Sequence, residues 1–200
     1  MLFRSPAFAI RYTTDGSEPL FTSQEYEAPF LFDKQGVIRA TVFTSGKTHG
    51  EIASITFDQC KKDWKIISPI KSGVNNMIDD NVESYFHTYD ANNQNKFVPD
   101  EIIVDMGAVI PVSEIIYTPR QDMYRNVDGV IENYEIYLSE NGVKWELVSK
   151  GAFQNIRQSL VPQEIKLIKT YPSRYLRFVV TGVLEKNFMS IAEIGVKISE

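Results

Sequence analysis

The sequence predicts an all-β chain of two consecutive domains, and three features of its 200 residues carry that reading. Short apolar–polar alternations of period two recur along the chain, as half-buried strands require. Turn dipeptides such as Asp15-Gly16 and Asn141-Gly142 separate them. Phe and Tyr are plentiful, at 12 and 10, and no long stretch repeats with a helical period. Pleated surfaces favour aromatic side chains, so these residues belong on sheets.

Taken in order, AFAIRYTTDG reads as a strand entering the Asp15-Gly16 turn, with Pro19 preventing its continuation. Val37–Phe43 and Glu51–Phe57 alternate and are rich in β-branched residues. Three or four strands over so few residues make a marginal core, which points to a partial domain. The polar stretch Asp58–Asp63 separates it from the next apolar onset at Trp64, giving a seam between domains 1–59 and 60–200. Beyond it, Glu101–Gly107 and the stretch from Ser113 read as strands. In Asn133–Ser139, Tyr134, Ile136 and Leu138 share one face. Asn141-Gly142 turns that strand into KWELVSKG, and Arg174–Val180 and Ala192–Ile198 complete the set. Such spacing predicts a β-sandwich or jelly roll. The segment from Val74 to Pro99 is polar, rich in Asn and Asp, and long for a structureless loop, which marks it as functional.

Composition narrows the partners. A net charge of −5 with no cluster of Lys or Arg excludes a nucleic-acid partner, whose phosphates are bound by clustered cations. The same balance disfavours an anionic membrane surface, and no stretch approaches the ~20 apolar residues of a spanning helix. Neutral glycans remain. The single cysteine, Cys60, excludes an internal disulfide. The opening MLFRSPAFAI is too short in its apolar run to serve as a signal peptide, so an exported parent is expected to carry its signal upstream.

Ile10 to Phe43, with YTTDGSEP followed by Ser23, Tyr26 and Pro29, resembles the small immunoglobulin-like domain at the C-terminal side of chitobiases and β-hexosaminidases. That resemblance implies a spacer, a partial Ig-like β-sandwich with no chemistry of its own. Most of the remaining chain is similar to the discoidin-like, coagulation factor 5/8 type C domain, in particular to family 32 carbohydrate-binding modules. The pieces MIDDNVESYFHT, EIIVDMG, IIYTPRQD, GVIENYEIYLSENGVKWELV, SRYLRFVV and SIAEIGV follow in the order of that family. Three departures stand out: Phe86 replaces a usual Trp, Asp80 a usual Gly, and Ser84 a usual Thr. The resemblance implies a galactose-binding-like jelly-roll β-sandwich after the Ig-like domain.

It also implies two sites. For a structural Ca²⁺ it names Asn76, Asp79, Asn81 and Ser84 from the long loop, with Ala192 and Glu193 from the end of the chain. Hard cations want six to eight oxygens, and a tight loop supplies carbonyls beside one or two carboxylates. The bland reading is a solvated turn at Asp79 and Asp80. For a sugar pocket the resemblance places His87, Arg120 and Asn126, with Tyr124 or Phe188 as the stacking face. Donors facing vicinal hydroxyls and a ring under the C–H face are what a monosaccharide needs. The bland reading buries His87 in the core and has Arg120 pair with Asp122 or cap the hairpin.

The expected function is therefore the non-catalytic, carbohydrate-binding C-terminal region of a secreted, periplasmic or cell-surface bacterial glycoside hydrolase. A chitobiase or β-hexosaminidase is the first candidate for the upstream catalytic domain, and the ligands are galactose- or N-acetylhexosamine-type glycans. Its rivals are a structural appendage with a degenerate pocket and the C-terminal region of an α-fucosidase. An enzyme in its own right lacks support: no HExxH, GxSxG or Gly-rich phosphate loop is present. Phospholipid binding is disfavoured by the acidic balance.

Overall fold

A computed structural model describes residues 8–45, 47–90, 100–121 and 127–199. The chain divides into two compact units, Met1–Cys60 and Lys61–Glu200.

The first unit holds β1 (Phe8–Thr13), β2 (Gln24–Glu25), β3 (Gly36–Thr44) and β4 (Lys47–Phe57). They form one antiparallel sheet in the order β2-β1-β3-β4. The turn leaving β1 is fixed by Asp15, whose Oδ1 accepts from the Ser17 amide at 3.0 Å and the Ser17 hydroxyl at 2.6 Å. Gly16 takes φ 77° there, a left-handed conformation glycine adopts without a Cβ penalty. Tyr12 is buried, stacked 4.8 Å from Phe30 with Tyr26 edge-on at 6.4 Å. The return segment expected from the sequence is thus held by aromatic packing.

The second unit contains β5 (Lys65–Ser68), β6 (Phe86–His87), β7 (Asp100–Thr118), β8 (Ile131–Ser139), β9 (Glu146–Ala152), β10 (Gln163–Val183), β11 (Ser190–Ile191) and β12 (Glu193–Ile198). Among the described residues its one helical element is the 3₁₀ turn Val74–Met77. The main sheet runs β12-β7-β10-β8-β9, with β5 also on β7, and β6 pairs β11 separately. The two stretches read as separate strands, Glu101–Gly107 and the one from Ser113, are halves of the single β7. They are joined because β10 pairs with both halves, from Asp100 to Tyr117. Register shifts between Lys166 and Tyr171 and between Ser173 and Tyr175 interrupt that ladder, and such bulges bend a long ribbon.

The core follows the period-two pattern. Tyr134, Ile136 and Leu138 of β8 are buried, and Ile102, Tyr117, Leu176 and Phe178 are fully so. Each such side chain contributes on the order of 1.5–3 kcal/mol by leaving water. Tyr117 and Tyr134 both stack on Phe153, at 5.3 and 4.6 Å. The Tyr117 hydroxyl accepts from the Ile131 amide at 3.1 Å and lies 3.4 Å from the Ser190 carbonyl, to which it donates. Core packing thereby reaches the segments that carry the candidate site.

Candidate functional site

The pairing of β6 with β11 builds the rim. Ser190 stands opposite His87 and Ile191 opposite Phe86. Alternation then sends Phe86 into the core, 2% exposed, and His87 outward. The bland reading, a core histidine, does not hold. Thr88 fastens the two segments, its amide donating to the Met189 carbonyl and its hydroxyl accepting from the Met189 amide, both at 3.0 Å.

Around His87 the side chains form a continuous aromatic rim. Its ring lies 6.2 Å from Phe188, edge to face, 6.0 Å from Tyr85 and 6.3 Å from Tyr89. Tyr89 and Phe188 meet edge to face at 5.4 Å. The Tyr89 amide donates to His87 Nδ1 at 3.2 Å, leaving Nε2 as the imidazole's other polar atom. Arg120, just beyond the end of β7, lays its guanidinium over Tyr85 at 4.1 Å. His87 and Phe188 are thus in contact, and Arg120 joins them through Tyr85. Tyr124 and Asn126 lie outside the described residues.

Phe188 is positioned by backbone chemistry. Gly129 adopts φ 76°, and a Cβ at that position would fall 2.5 Å from the Phe188 carbonyl oxygen and 2.7 Å from its ring. Only glycine permits that approach. The Ser190 amide donates to the Gly129 carbonyl at 2.7 Å, and the Ser190 hydroxyl to the Asp128 carbonyl at 3.1 Å.

Tyr85 and Tyr89 had not been singled out. The signal was present: in YFHTY the residues at 85, 87 and 89 alternate, which puts them on one side of an extended segment.

The second constellation sits where the long loop meets the start of β12. Glu193, 5% exposed, accepts at Oε1 from the amides of Asp79 (3.1 Å) and Asn81 (3.3 Å). Ser84 Oγ lies 2.8 Å from Asp79 Oδ2 and 3.0 Å from the Asn81 carbonyl oxygen. Asn76 donates from its side chain to the Tyr85 carbonyl, and Ala192 from its amide to the Thr118 carbonyl. Two residues outside the expected set take part: Lys61 Nζ is 2.6 Å from Glu193 Oε2 and 2.8 Å from Asp80 Oδ1.

Burial pushes the Glu193 carboxyl up to about 7, opposed by Lys61 and reinforced by Asp79 and Asp80. Burial also pushes Asp79 up, but contacts with Glu193, the Ser84 hydroxyl and the Asn81 amide outweigh it and hold Asp79 below the usual range. Among the described residues no group of three or more His, Cys, Asp or Glu side chains is placed to hold a metal ion. The Ser84 hydroxyl, the Asn81 carbonyl oxygen and an Asp79 carboxylate oxygen meet at one end of the loop, while the carboxylates of Asp80 and Glu193 face the ammonium of Lys61.

The model of the F5/8 type C domain family matches residues 61–194, and that of a family described as Fn3 associated matches residues 1–57. Galactose oxidase of Gibberella zeae is 33% identical over 124 residues, which make up 61% of this chain. The match spans 17% of the length of that relative. The C-terminal domain of a chitobiase from Bacteroides fragilis has a TM-score of 0.58 at 25% identity, covering 72% of this chain and 98% of that one. The family 32 CBM from C. perfringens NanJ, solved in complex with galactose, has a TM-score of 0.58 at 22% identity, with 68% and 94% covered, a likeness of fold alone.

Proposed function

The chain belongs to the F5/8 type C domain family, and on that premise we propose that residues 61–194 form a non-catalytic glycan-binding module for galactose- or N-acetylhexosamine-type sugars. The observation that carries the reading is the solvent-facing His87 set among Tyr85, Tyr89 and Phe188, with Arg120 stacked on Tyr85. An aromatic rim offers a surface for the C–H face of a pyranose, while imidazole and guanidinium nitrogens hydrogen-bond its hydroxyls. The galactose held by the C. perfringens module of the same fold supports that sugar class.

The parent in this reading is a secreted bacterial glycoside hydrolase of the chitobiase or β-hexosaminidase type, with the first unit as a spacer. The reading assigns no catalytic group. Asp80 and Glu193 are tied to Lys61, and Glu193 also accepts from the Asp79 amide. In the same reading Asp79, Asn81, Ser84 and Glu193, with Asn76 and Ala192, supply the oxygens for a Ca²⁺ ion beside the loop.

Two or three charge-assisted hydrogen bonds contribute about 1.5–3 kcal/mol each, and association costs at least about 4 kcal/mol, which leaves a dissociation constant near the millimolar range. Tethering to a catalytic domain makes such affinity useful through effective concentration. Isothermal titration of the full chain with galactose and N-acetylgalactosamine tests it. The wild type is expected to bind at about millimolar Kd, and His87→Ala and Arg120→Ala to lose at least about tenfold. A wild type that binds no glycan at tens of millimolar, or variants that bind as it does, refutes the reading and leaves a structural appendage.

A further inference from the structure

Lys61 is an anomaly in a fold of this size. Its side chain is 4% exposed, and lysines are almost never buried unless paired. The pairing spans the sequence, since Lys61 opens the unit and Glu193 begins its last strand, 132 residues later. Glu193 is itself the hub of the junction, holding the Asp79 and Asn81 amides with Oε1 while Oε2 meets the ammonium. The third member, Asp80, has φ 59°, a left-handed conformation disfavoured for a residue with a Cβ. Its carboxylate nonetheless reaches Lys61 at 2.8 Å. A backbone in that region persists only where surrounding contacts hold it, and the ion pair to Lys61 is one such contact.

We infer that Lys61 is a resident cation: it neutralises Glu193 and Asp80 from within the chain, so that the loop carrying Asp79, Asn81 and Ser84 is fastened to β12 before any metal binds. The start of the unit, its long loop and its last strand then close as one piece in the metal-free chain, and a divalent cation adds to a junction already made. Because the loop runs on through Tyr85 to His87, Lys61 also fixes the base from which the aromatic rim projects. The inference does not depend on what the rim binds.

Thermal unfolding of the full chain in EDTA and in millimolar CaCl₂, for wild type, Lys61→Met and Lys61→Arg, tests it. In wild type the midpoint is expected to move by less than about 2 °C between the two buffers. In Lys61→Met it is expected to fall by at least about 5 °C in EDTA, while Lys61→Arg, which keeps a cation, stays near wild type. Wild type that loses as much as Lys61→Met on chelation overturns the inference, since the metal is then the fastener. Lys61→Met that melts like wild type in EDTA also overturns it. Amide hydrogen exchange of the wild type in EDTA gives a readout that needs no variant. Protection of the Asp79 and Asn81 amides supports closure by Lys61, and exchange at the rate of an open loop overturns it.

Discussion

The guanidinium carbon of Arg120 lies 4.1 Å from the centre of the Tyr85 ring, and Tyr85 lies 6.0 Å from His87, so a residue from the end of β7 and one from β6 are coupled through an aromatic face. A flat cation on a ring is worth about 0.5–2 kcal/mol, and the stack orients the guanidinium edge. Arg120→Lys keeps the charge and loses the planar fork. Its expected effect is a loss of roughly tenfold in sugar affinity with a melting point within a few degrees of wild type. Titration calorimetry beside a thermal melt checks both, and unaltered affinity would mean that the planar group is not used.

Gly129 underlies Phe188 so closely that a methyl group cannot be accommodated. Gly129→Ala is expected to lower stability by about 1–3 kcal/mol through the left-handed backbone and the clash. It is also expected to displace Phe188, weakening sugar binding more than an equally destabilising core substitution does. A comparison with Phe188→Ala separates the effects: matched losses of affinity place both on the same ring.

The Tyr117 hydroxyl accepts the buried amide of Ile131. Tyr117→Phe leaves that donor without its acceptor at a cost of about 1–3 kcal/mol. For a domain of this size each kcal/mol lowers the midpoint by roughly 2–4 °C. Denaturant unfolding with an unchanged slope is the measurement.

Arg174 grips Asp105 through Nε and Nη2, each at 2.8 Å, and this contact is the main reason the carboxyl sits below its usual range. The unfolded chain then takes up a proton at a pH where the native chain does not. The stability from this pair is complete above the ordinary aspartate value of about 4 and is lost as pH falls below it. Asp105→Asn is expected to flatten the acid limb of the stability curve between pH 5 and 2, and to leave its slope above pH 6 unchanged. Urea midpoints across that range decide it.

The strands were legible because burial alternates with the pleat. Tyr134, Ile136 and Leu138 could be assigned to one buried face from their spacing alone, and the Asp15-Gly16 and Asn141-Gly142 turns from their chemistry. The same alternation in YFHTY puts Tyr85, His87 and Tyr89 on one side, a signal as local as the others, and burial of Phe86 makes that side the outward one. The union of two short stretches into β7 was not legible, because a strand continues through Gly107 only when a partner such as β10 pairs on both sides of it.

Residue order and period therefore determined the class of fold and the oxygen-rich loop, both properties of neighbours along the chain. Tertiary structure alone decided that Lys61 meets Glu193, that Gly129 seats Phe188 and that Arg120 lies on Tyr85. Each of those contacts joins residues far apart in sequence, and a buried charge or a missing Cβ acquires its meaning only from the atom that the fold brings against it.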